Sequence, residues 1–243
     1  MIEEATLESQ SLWYKYKTQV WLDQNSEQTA VVHNIMRTLR AFRNVKELAY
    51  VSVPVTSGMF LYELKLSRSD MSKKEQVEAA IRHNYHLGWE FVEELSARRN
   101  CPIIFPADLI PAHQQWEQAH FQALWLSIIG EMCTEVHMSR GWEFSNGGSE
   151  EFTHAWQLKL GLPRHPGLLF YNTKESEESE RNRMKRIMIY DHLGQPITIE
   201  QGIDAIRNSL AWLKTRNFEA QTLENCLILL EETRDALSMG VYF

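Results

Sequence analysis

The segment Gly141-Trp142-Glu143-Phe144-Ser145-Asn146-Gly147-Gly148-Ser149-Glu150-Glu151-Phe152-Thr153-His154-Ala155 joins a Ser/Gly-rich loop to a helix-forming run. Glycines let a backbone come close to a ligand. A helix start offers unpaired N–H groups and the positive end of the helix dipole. Glu150 and Glu151 fall, on this reading, in the first helical turn. Both effects favour the charged carboxylate there, a setting in which an ionised side chain serves as a nucleophile. An acidic helix start with no chemical role has the same composition.

Other residues that carry chemistry are more dispersed. His113, Glu117 and His120 are spaced to share one helical face, the pattern of a metal site. Their helix start is polar and no further ligand is evident, so no metal is expected. His83 and His86 read as surface residues, and His154 either reaches the loop or is bland. Trp142 and Phe144 have the shape to stack on a base, or to pack in a core. There is no Ser-His-Asp set, no P-loop and no G-x-G-x-x-G.

The elements that must position these residues follow from hydrophobic spacing. Residues 1–44 read as helical, with Val31, Val32, Ile35, Met36, Leu39 and Phe42 in phase. Leu48 to Val53 reads as a short buried strand stopped by Pro54. Ser72-Lys73-Lys74-Glu75 is a capping box, opening a helix that turns Val77, Ala80, Ile81, Leu87, Phe91 and Leu95 to the core. Further strands are expected at 101–106, 135–138, 167–171 and 186–190, with helices at about 113–132 and from the glycine loop to about Leu160. Thr198-Ile199-Glu200-Gln201 is a second capping box, ahead of two C-terminal helices. Lys174 to Arg186 is a charge run that reads as a solvated segment, its basic end being an alternative phosphate contact.

Short apolar strands alternating with amphipathic helices predict an α/β fold, a parallel sheet of about five strands covered on both faces. Ligands bind such sheets beyond the carboxyl ends of the strands. The 54–58 and 145–149 loops both follow strands and so share that edge.

Composition bounds the function. The chain has 243 residues, room for a sizeable core. Its net charge of −7 argues against broad nucleic-acid binding, which needs a basic face. The three cysteines are far apart, suit no zinc spacing and read as buried thiols of a reducing compartment. With an acidic start and no run of the roughly 20 apolar residues that span a bilayer, the expectation is a cytoplasmic protein that does not enter membranes.

Tyr50-Val51-Ser52-Val53-Pro54-Val55-Thr56-Ser57-Gly58 and Ser145 through Ala155 together resemble nucleoside 2-deoxyribosyltransferases and the related deoxynucleoside-monophosphate N-glycosidases. The likeness covers roughly 48–172 and is nearer to a branch with a Gly-Trp, a Ser-x-Gly loop and a Glu four residues before an Ala. It implies a Rossmann-like, flavodoxin-like domain over 45–190, helical extensions at 1–44 and 191–243, a homo-oligomer, and no cofactor. The implied reaction breaks an N-glycosidic bond by attack of a Glu on the anomeric carbon. By motif, Glu151 stands on the nucleophile and Tyr50 on its hydrogen-bonding tyrosine. Ser52, Pro54, Thr56, Trp142, Ser145, Asn146, Gly147 and Gly148 stand where a nucleoside or nucleotide is held. The family's general acid, an Asp in the helix before the third strand, has no counterpart in Leu124–Ile129. Glu143 is the favoured substitute, with Asp108 and Glu131 as others. An NAD glycohydrolase of the Toll/interleukin-receptor-like kind and a non-catalytic nucleotide-sensing module remain open alternatives.

Overall fold

The computed structural model describes residues 27–40, 47–108, 118–159 and 187–238. Four strands are placed: β1 (Ala49–Ser52), β2 (Ile103–Ile104), β3 (Glu135–Met138) and β4 (Met188–Tyr190). They form one sheet in the order β2-β1-β3-β4, every pair parallel. The strand expected at 167–171, which would make five, lies outside the described residues, as does the charge run.

Helices cover both faces, which explains the continuous burial of β1. They are α1 (Glu27–Arg40), α2 (Met59–Ser67), α3 (Lys73–Arg98), α4 (Gln118–Met132), α5 (Asn146–Lys159), α6 (Ile199–Lys214) and α7 (Gln221–Ser238). Side chains alternate across a strand. Ala49 and Val51 therefore meet Phe91, Val92 and Leu95 of α3 on one face, while Tyr50, Val136 and Met138 enter the larger core built with α4 and α5. Among the described residues no helix is long and apolar enough to cross a membrane.

Both capping boxes form. Ser72 N–H donates to Glu75 at 2.7 Å and Thr198 N–H donates to Gln201 at 2.8 Å, with the reciprocal bonds also present. The inward stripe of α3 differs from the apolar one expected. Leu87 is 46% exposed, whereas Gln76, Asn84 and Gly88 are buried on the same stripe as Ala80 and Leu95. Apolar spacing alone misassigns a face on which a polar residue has a structural partner.

The C-terminal helices are not peripheral to the core. Ile199, Ile203, Ile206 and Leu210 of α6, with Leu223, Cys226 and Leu230 of α7, share one apolar cluster with Tyr50 and Phe152. Cys133 and Cys226 are buried and Cys101 is half-buried.

Candidate functional site

The chain leaves β1 towards β2 on one side and returns to β3 on the other. The carboxyl ends of β1 and β3 therefore flank a topological switch point, the place on open α/β sheets where ligands bind. Ser139 N–H donates to Ser52 O across that point at 3.0 Å.

Above it lies a hydrogen-bonded trio. Tyr50 OH donates to Glu151 Oε1 at 2.7 Å, and Ser52 Oγ donates to Glu151 Oε2 at 2.5 Å. Tyr50 and Ser52 are alternate residues of β1 and so point to the same face, towards α5. All three side chains are buried, Glu151 with 5% exposure.

The glycine segment differs from expectation. The helix starts at Asn146, so Gly147 and Gly148 occupy its first turn and no acidic residue does. Ser145 precedes it in extended conformation, its Oγ accepting from Gly148 N–H at 3.3 Å in the manner of an N-cap. Glycine is required at 148, since a Cβ there would sit 2.8 Å from the Trp142 carbonyl oxygen. Glu151 thus falls in the second turn, within the core. It is not the readily ionised first-turn carboxylate that the sequence suggests. Burial raises its pKa from 4.5 to about 7, against the lowering effect of the Ser52 and Tyr50 hydrogen bonds and with Glu150 adding repulsion. The Tyr50 hydroxyl is pushed well up, by burial first and then by Glu151.

The remaining expected residues divide. Ser145 is buried and its Oγ lies 3.1 Å from Ser57 Oγ, closing the β1 and β3 loops on each other. Pro54 is buried in the β1 loop, while Thr56 and Asn146 are exposed. Trp142 stacks on Phe152 with centroids 4.5 Å apart, and Phe144 meets Trp212 edge-on at 5.6 Å, so both pack in the core. Glu143 is half-buried, and burial raises its pKa against the lowering effect of a backbone hydrogen bond. No hydrogen bond among the described residues joins Glu143 to the trio. Asp108 accepts from the Tyr85 hydroxyl at 2.9 Å. Glu131 lies in the last turn of α4, which adjoins the amino end of β3 and the opposite edge of the sheet. His154 points to α4, its Nε2 3.4 Å from where a Cβ on Gly130 would stand. His83 stacks on Phe60 at 3.9 Å, and His86 is exposed beside Glu90. Two of the three residues spaced for a metal, His113 and Glu117, lie outside the described residues. Among those described, no group of three or more His, Cys, Asp or Glu could hold a metal ion.

Three residues escaped the sequence reading. Ser57 bonds Ser145. Asn84 reaches over from α3, donating from Nδ2 to Val55 O at 3.2 Å and Ser57 O at 2.9 Å, and so fixes the β1 loop. Gln122, in the second turn of α4, lies against the first turn of α5, its Oε1 3.3 Å from the Cβ position of Gly147. The available signal was a polar residue inside an apolar stripe. Replacing Asn84 by Asp turns two donated bonds into carboxylate–carbonyl repulsion. It is expected to cost about 1–3 kcal/mol, read by urea unfolding, with the loop becoming the first segment to exchange its amides.

The order and parallel sense of the strands, with helices on both faces, define an α/β protein of Rossmann-like arrangement with a buried Tyr–Glu–Ser trio at its switch point. Comparison with known families, curated proteins and solved structures finds no match.

Proposed function

We propose that this protein cleaves or transfers at the N-glycosidic bond of a nucleoside or nucleotide, with Glu151 as the nucleophile. The trio at the carboxyl edge carries the reading. Tyr50 and Ser52 each donate to one oxygen of Glu151, which fixes the carboxylate in one rotamer and leaves lone pairs on both oxygens for attack. The strand order puts the trio at the switch point, the edge at which such sheets bind ligands, and this supports placing the sugar between the two loops tied by Ser57 and Ser145. Attack on the anomeric carbon would form a glycosyl ester, and water or a second base would resolve it.

Only the carboxylate form is nucleophilic. A pKa of about 7 therefore places the acid limb of kcat/KM near pH 7 rather than in the usual carboxylate range near 4.5. Incubation with deoxynucleosides, their monophosphates and NAD, followed by chromatography, tests the reading. Base release that disappears in Glu151→Ala supports it, and release that persists in that variant refutes it.

One observation favours a second reading, a non-catalytic nucleotide-binding module: among the described residues the side-chain hydrogen bonds of Glu151 run to Tyr50 and Ser52 alone, and none reaches Glu143. That reading expects nucleotide to raise Tm equally in the parent protein and in Glu151→Gln, with no product formed.

A further inference from the structure

We propose that the substrate is a cationic N-glycoside, whose aglycone leaves as a neutral heterocycle, and that the Gln122 carboxamide is the hydrogen-bonding partner of that aglycone. The inference rests on the reading of Glu151 as nucleophile.

The position of Gln122 is the starting point. Helix α4 precedes β3 and runs back along the sheet, so its first turns stand at the carboxyl edge, beside the first turn of α5. Gln122 is 6% exposed, abuts Gly147, and its Nε2 has no hydrogen-bond partner among the described residues. A buried amide nitrogen without a partner is costly. A ligand acceptor at that point removes the cost. Whichever way the amide is turned, it presents one donor group and one acceptor.

The chemistry of that group selects the substrate. A neutral nucleoside needs a proton on its departing base, and a general acid is worth about 10²–10⁴-fold. A carboxamide donates a hydrogen bond but has no proton to release near neutral pH. Among the described residues no hydrogen bond brings Glu143 to the trio, Asp108 holds Tyr85, and Glu131 is at the other end of α4. His120 stands two residues before Gln122, on the opposite side of the helix.

A cationic glycoside needs no such proton. Glu151 attacks C1′ and forms the ester; the C1′–N bond breaks and its electron pair returns to the ring nitrogen, cancelling the positive charge. Water then attacks C1′, its proton passes to solvent, and the Glu151 carboxylate is restored. A pyridinium ring bearing a carboxamide fits best, because its C=O and NH₂ pair with the donor and acceptor of Gln122.

The test uses the full chain with NAD and nicotinamide mononucleotide, against deoxyadenosine and deoxyadenosine monophosphate, all followed by chromatography. Nicotinamide release at least about 100-fold faster than adenine release is expected, the ratio that the missing acid step implies. Gln122→Met, matched in volume, is expected to raise KM for the pyridinium substrate about tenfold with a smaller change in kcat. Gln122→Glu, which installs an acid, is expected to gain adenine release. Adenine release at a rate equal to or above that of nicotinamide in the parent protein overturns the substrate class while leaving Glu151 as nucleophile. Release from neither class overturns both. An unchanged KM in a folded Gln122→Met overturns the role of Gln122.

Discussion

Glu151→Gln is expected to stabilise the fold while abolishing turnover. In the folded protein burial holds the Glu151 pKa at about 7, against 4.5 for an unperturbed carboxyl. Between those two values the folded state binds the proton more tightly than the unfolded chain does. The stability contributed by this group is therefore fully present below pH 4.5, falls as pH rises, and is lost above about 7. A displacement of this size corresponds to about 3 kcal/mol. Glutamine stays neutral throughout. Its oxygen still accepts from Tyr50, and its amide can donate to Ser52, whose hydroxyl rotates to accept.

At pH 8 the variant should therefore melt higher by roughly 6–12 °C, since one kcal/mol moves a chain of this size by about 2–4 °C. The gain should shrink to nothing near pH 4.5. Calorimetry across that range decides it: a difference in Tm that does not change with pH would remove the buried, protonated carboxyl from the explanation. Stabilisation with loss of turnover is the signature of a group kept for chemistry against the interest of the fold.

Gly202→Ala is expected to disrupt the core beneath the site. Gly202 lies on α6, and a Cβ there would sit 2.0 Å from a ring carbon of Phe152. Phe152 has no exposure, is stacked on Trp142, and follows Glu151 directly. Neither ring has room to retreat, so the methyl group must separate α6 from α5. Overpacking of this kind costs about 1–3 kcal/mol, offset by up to about 1 kcal/mol of better helix propensity. A net loss of several degrees in Tm is expected. Adding Phe152→Leu, which makes room for the methyl group, should recover part of it. Non-additivity in that double-mutant cycle identifies the contact; strictly additive effects would place the damage elsewhere. Because Phe152 adjoins Glu151 on α5, the separation of the two helices should also weaken the trio.

Much of the fold was legible because it depends on neighbours in sequence. Capping boxes are satisfied within four residues, and Ser72–Glu75 and Thr198–Gln201 both form. Alternating strand and helix periods gave a parallel α/β sheet, since both faces of such strands must be apolar. The helix start at 146 was misplaced because glycines read as loop by propensity, whereas here Gly148 is held in a first turn by its approach to Trp142. The face of α3 was misread at Leu87 because the purpose of Asn84 lies in a loop about thirty residues earlier in the chain.

The candidate site shows the same division. Its residue types, and the pairing of the Tyr50 loop with the Glu151 segment, stand in the sequence. The distance between them does not: Tyr50 and Glu151 are separated by 101 positions, and only parallel pairing of β1 with β3 brings α5 over β1. The raised pKa of Glu151, the placing of Gln122 against Gly147, and the stacking of Trp142 on Phe152 were decided by the tertiary structure alone. Each depends on burial. Burial at one position is set by side chains supplied from distant segments, including the C-terminal helices, and local spacing carries no record of it.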